Sequence, residues 1–166
     1  SDVAPDLRSR SYRLDAQVEP IKGNVSGVLI AHGDATSGYS LYLDDRGHLV
    51  HDLNIGGSHQ ILRSPKPVPV GTTNLGFYMS RDEQSHRGLG QLVIDGEVVA
   101  TQETDNIFFL MISWSGLDIG LDRGTAVSNY EAPNCFTGDL VKVTIDLADD
   151  QLLDGHGLGR AEMMRE

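Results

Sequence analysis

The chain has one cysteine, Cys135, one tryptophan and few aromatic residues, 6% in all. A single thiol excludes an intramolecular disulfide, so the fold must be held by its own core. That thiol count suits a reducing compartment, and it equally suits an exported domain large enough to need no covalent staple. The location is therefore unknown, cytoplasmic or exported. Ser1 to Pro5 lack the charged-then-apolar pattern of a secretory leader. This leaves either a cytosolic protein or a fragment whose targeting segment lies elsewhere. No apolar run approaches the roughly 20 residues of a membrane span. Basic residues are also scarce, 13 against 24 acidic ones, for a formal charge of −11. No basic cluster exceeds pairs such as Arg8 and Arg10. That balance excludes nucleic acid and anionic membranes as partners.

What is present is turn and strand. The 166 residues contain 19 glycines, well above average usage. This length makes one domain, burying about two thirds of its unfolded surface. Residues 11–18 alternate, with Tyr12, Leu14, Ala16 and Val18 on one face. Val25 to Ala31 is an apolar run suited to an inner strand. Tyr39, Leu41 and Leu43 share a face before the Asp44 to Gly47 turn. Leu49, His51 and Leu53 then line one side of the returning strand, with Val50 and Asp52 on the other. Pro65, Pro67 and Pro69 make an extended connection to a strand over Asn74 to Met79. Arg81 to Arg87 is polar and aperiodic, an exposed and mobile loop. Asp95-Gly96 between two β-rich runs signals a hairpin with a type I′ turn.

The cleanest alternation closes the pattern. Val141, Val143, Ile145 and Leu147 face one way, and Lys142, Thr144 and Asp146 the other. About ten to twelve short strands and no three-turn helix predict an all-β, two-sheet antiparallel jelly-roll sandwich. The sandwich domain is expected to span residues 1–149. Residues 150–166 form a tail, mobile or making one helical turn.

Two segments carry a family resemblance. The first runs from Gly27 to Gly33, then Gly38 to Leu43, Gly47 to Val50 and Asn54. The second is Leu117 to Ser128, Tyr130, Pro133, Phe136-Thr-Gly138 and the closing strand. With Leu92 to Gly96 between them, this order resembles the C-terminal domain of the large bacterial arylsulfatase-type sulfatases, a concanavalin A-like sandwich. The resemblance covers roughly residues 9 to 147. It implies an accessory domain that packs on and supports a separate catalytic domain, where calcium and formylglycine belong. Cys135 is followed by Phe-Thr-Gly and not by the Cys/Ser-x-Pro-x-Arg motif that is converted to formylglycine. The implied partner is the parent enzyme's own catalytic domain, with a homo-oligomer contact as a further expectation. No cofactor is expected in this chain. The alternative from a different class is a stand-alone carbohydrate-binding, lectin-like module.

Resident chemistry finds little support. Glucanase acids alternate along one strand, and Glu103-Thr-Asp105 lacks the third acid, while Asp95 and Glu97 flank a turn. Ile112-Ser-Trp-Ser-Gly116 lacks the first glycine of a nucleophile elbow. His48 and His51, three apart on a strand, point to opposite faces and cannot share a metal. His32, His59, His86 and His156 are isolated in sequence. Asp118 and Asp122 sit in a Gly-punctuated loop that offers oxygen ligands to calcium, or carboxylates to backbone amides. Trp114, Tyr39, Tyr42 and Tyr78 are weighed as a sugar-stacking surface, with core packing favoured. The candidate binding residues are Asn54, Trp114, Asp118, Asp122, Arg123 and Tyr130, with no catalytic or metal residue.

The alternation of the last strand generates a test. Val143→Asp should destabilise severely, because a carboxylate on the apolar face costs several kcal/mol. A melting temperature within about 2 °C of the parent would show that this face is exposed.

Overall fold

The computed structural model describes residues 5–7, 10–82, 87–105 and 116–150. The alternation read at the N-terminus becomes β1, Tyr12–Val18, with Leu14 and Ala16 inward and Arg13, Asp15 and Gln17 outward. β2 (Gly27–Gly33), β3 (Ser37–Leu43), β4 (Leu49–Ile55) and β5 (Ser58–Arg63) follow as a meander. The proline-rich stretch leads to β6 (Asn74–Arg81), β7 (Gly88–Ile94) and β8 (Glu97–Thr104). β9 (Leu117–Ile119) and β10 (Leu140–Leu147) complete ten strands, and no helix occurs among the described residues.

The strands form two five-stranded sheets. Sheet one has the order β10-β1-β6-β7-β8, and sheet two β5-β4-β3-β2-β9, with every strand pairing antiparallel. Leu14, Leu75 and Leu92 of sheet one meet Ile30, Leu41 and Leu53 of sheet two in one core, none more than 2% exposed. The hairpin between β7 and β8 turns at Asp95 and Gly96, both with positive φ (49° and 83°), as the type I′ turn requires. Asp95 Oδ1 also accepts the amides of Thr73 and Asn74 at 3.0 and 2.9 Å, tying the hairpin tip to the start of β6.

Two features depart from the sequence reading. β5 was not anticipated, because Ser58 to Arg63 is mostly polar and lies on a sheet edge with half of its surface in water. It forms because Gly56 and Gly57 supply consecutive positive φ angles for a tight hairpin. The second departure is Val141, expected inward but 48% exposed. A bulge in the β1–β10 ladder pairs Gln17 with Lys142 and Val18 with Leu140. The chain therefore skips Val141, and Leu140 takes the core position beside Val143, Ile145 and Leu147. Residues 83–86 of the expected loop, Trp114 and the tail from 151 lie outside the described residues. Asp150, assigned to that tail, accepts the Ser11 amide at 2.8 Å and the Ser11 hydroxyl at 2.5 Å.

One core residue is titratable. His51 of β4 lies flat on Phe77 of β6, ring centroids 3.4 Å apart and planes within 1°. It is 2% exposed, and its Nε2 has no hydrogen-bond partner. Burial pushes its pKa down to about 3. An unfolded histidine titrates near 6.5. The unfolded chain thus takes up the proton first, so this residue's share of stability is complete above about pH 6.5 and falls as pH drops toward 3. Urea unfolding of wild type should lose about 1.4 kcal/mol per pH unit from this group between pH 6 and 4. His51→Leu should lack that part of the slope. Parallel pH profiles for the two proteins would mean that His51 reaches solvent.

Candidate functional site

Five of the six sequence candidates fall on or beside the outer face of sheet two, where residues 120–136 lie across the strands. Their polar atoms are committed to holding that loop. Asp122, 1% exposed, accepts the Val127 amide at 3.0 Å and the Tyr130 hydroxyl at 2.6 Å through Oδ2. Burial, and then the bond to Asp122, hold the Tyr130 phenol well above its ordinary pKa. Asn54 Nδ2 donates to the Ala35 and Val127 carbonyls, and its Oδ1 accepts the Gly57 amide. Asp118 accepts the Arg123 amide and Nε, both at 2.8 Å. Tyr130 also bonds Ser40 and meets the Tyr42 ring edge-on at 4.9 Å, while Tyr42 pairs with Ser128. Beneath the loop, Asp52 is fully buried and bonds His59 Nδ1 at 2.6 Å. Burial raises its pKa, against the opposing pull of Ser128 and His59. Trp114, the sixth candidate, lies outside the described residues.

This donor set does not suit a cation. The partners of Asp118 and Asp122 are N–H and O–H groups aimed at the carboxylates, the pattern of loop organisation. No group of three or more potential metal-ligating side chains occurs among the described residues.

Among the described residues, the open face belongs to sheet one. Its register aligns a row across all five strands: Asp146 beside Arg13, Arg13 beside Tyr78, Tyr78 beside Gln91, and Gln91 beside Thr101. This row borders a depression of about 460 Å3, also lined by Ser11, Ser80 and Ala148. The Arg13 guanidinium sits over the Tyr78 ring, 4.5 Å from its centroid. Tyr78 donates to Asp15 Oδ1 at 3.3 Å. Burial raises the pKa of Asp15, while Tyr78 and Arg13 lower it and Asp146 raises it, so these four groups share one electrostatic environment. In the next rung, Gly76 leaves space that a side chain would fill: a Cβ there would lie 2.8 Å from Asp15 Oδ1 and 2.9 Å from the Leu14 carbonyl. Arg13, Gln91 and Asp146 make no side-chain hydrogen bond to protein among the described residues.

Sequence reasoning missed this row. Tyr78, a sugar-stacking candidate for which core packing is favoured by sequence, lies half-buried on the outer face. The outward parity of Arg13, Asp15 and Asp146 was readable, but not that β10, β1 and β6 are neighbours.

No protein-family model matches the chain, and no curated protein matches it significantly in sequence. Solved structures do match. The carbohydrate-binding module CBM40 of the Ruminococcus gnavus IT-sialidase, solved with α2,3-sialyllactose, has a TM-score of 0.58 at 17% identity, over 89% of this chain and 80% of that one. The leech intramolecular trans-sialidase gives 0.60 at 15% identity, over 89% of this chain and 22% of that one. The heptameric SAP-like pentraxin of Limulus polyphemus gives 0.50 at 16% identity, over 82% of this chain and 64% of that one. The fold is a concanavalin A-like sandwich. At these identities the likeness establishes architecture and leaves function to the site.

The loop analysis yields a stability test. Asp122→Ala should lower stability by about 2–4 kcal/mol, since it strands the buried Val127 amide and Tyr130 hydroxyl. Thermal unfolding checks this, and a shift under about 2 °C would show that the loop does not rely on Asp122.

Proposed function

We propose that this domain is a non-catalytic carbohydrate-binding module whose site is the outer face of sheet one. The observation that carries the reading is the row of Arg13, Gln91 and Asp146, with unengaged polar atoms, around Tyr78 beside an open depression. Sugars present dense arrays of hydroxyls, each a donor and an acceptor. A guanidinium, an amide and a carboxylate in register supply both roles. The sandwich likeness to a sialidase's binding module supports the same reading.

The accessory-domain reading is the second, favoured by the order of the segments around Gly27 to Asn54 and Leu117 to Leu147. On that reading the domain packs on its own sulfatase catalytic domain, with calcium and formylglycine in that other domain, and with a self-association surface. A binding module attached to an enzyme is compatible with both.

A printed glycan array followed by calorimetry tests the proposal. The chain should bind a defined set of glycans, and Arg13→Ala or Gln91→Ala should weaken binding at least tenfold, about 1.4 kcal/mol. Arg13 is exposed and Gln91 half-buried on the outer face, and neither truncation should shift the melting temperature by more than a few degrees. Arg123→Ala, in the covering loop, should bind as wild type. Loss in Arg123→Ala with retention in Arg13→Ala would move the site to sheet two. Absence of glycan binding, with capture of a sulfatase catalytic fragment, would favour the second reading.

A further inference from the structure

We infer that the sheet-one groove selects neutral, hydroxyl-rich sugars and discriminates against sialylated and other anionic glycans. This rests on the glycan-binding reading above and adds the ligand's charge. It also sets this chain apart from the module solved with sialyllactose.

The argument begins with what surrounds the one guanidinium in the row. Arg13 is flanked across the ladder by Asp146 and along its own strand by Asp15, two carboxylates on the same outer face. One positive group against two negative ones leaves this patch with a net negative charge. Lys142 shares the face, opposite Gln17 and diagonal to Asp15 across the ladder, and four residues along β10 from Asp146. The charges that act on Asp15 are those of Arg13 and Asp146, so the Lys142 ammonium stands apart from the patch. Asp15 and Tyr78 both register the field of Asp146, which places all of these groups within electrostatic reach of one another.

A sugar carboxylate seeking Arg13 would have to settle beside Asp146 and Asp15. A neutral sugar meets no such cost. Asp146 accepts from vicinal hydroxyls, Arg13 donates, and the Gln91 amide does both. The Tyr78 face toward β1 is already covered by Arg13. Recognition at that face thus runs through hydrogen bonds and not through a sugar ring stacked on the tyrosine.

The test uses the full chain on an array carrying neutral oligosaccharides beside their sialylated and uronate-containing counterparts, at about 50 and 500 mM salt. The strongest signals should be neutral glycans, at least tenfold above their charged partners, and nearly independent of salt. Asp146→Lys should raise the charged-to-neutral affinity ratio at least tenfold at low salt, with the gain shrinking at high salt. A wild-type preference for sialylated glycans would overturn this inference while leaving the glycan module intact. An unchanged ratio in Asp146→Lys, with binding retained, would also overturn it. Silence across the whole array would remove the glycan reading itself, and this inference with it.

Discussion

The organising constraint is that β2, β3 and β4 of sheet two are buried on both faces, whereas sheet one is buried on only one. β3 and β4 are closed to solvent along nearly their whole length, whereas β1 alternates between buried and open positions. One face of sheet two joins the common core. The other is sealed by residues 120–136, with Val28, Ala31, Tyr42 and Val50 beneath them and Val127 itself fully buried. A loop laid on a sheet must satisfy its own amides and carbonyls without water. Asp122, Asn54 and the paired hydroxyls of Tyr42, Ser128 and Tyr130 meet that demand. Among the described residues, sheet one is then the broad face left open.

The same constraint explains which parts of the site were readable. Asp118, Asp122 and Tyr130 stand out in the sequence as a Gly- and Asp-rich loop, and they do cluster in space. Their prominence reflects the burden of burying backbone, and each buried acid has its donors supplied by the protein. The proposed binding row is the opposite case. Arg13, Gln91 and Asp146 come from three strands scattered along the chain and form no motif. Only the register that sets Arg13 between Asp146 and Tyr78 brings them side by side.

The fold was far more legible than the site. Period two named the inward residues of β1, β3, β4 and most of β10, because one wet and one dry face leave a mark on composition. It failed at Val141, where a bulge shifts parity by one residue, and at β5, whose edge position imposes little apolar demand. The family resemblance carried the architecture correctly, and its sulfatase component rests on the order of sequence segments alone. His51 is a third kind of case. Its parity was plain, but its flat stacking on Phe77 belongs to the meeting of two sheets.

The pairing of Tyr12 with Leu147 bears on how the molecule is assembled. β1 lies between β6 and β10, so its partners are distant in the chain, while β2 to β5 and β6 to β8 close through short hairpins. Loop closure penalises long-range pairing, so the hairpins are expected to form early and the β1–β10 ladder late. The strand that supplies Asp146 is then among the last to dock. During synthesis the outer face of sheet one stays incomplete until nearly all of the described chain has emerged.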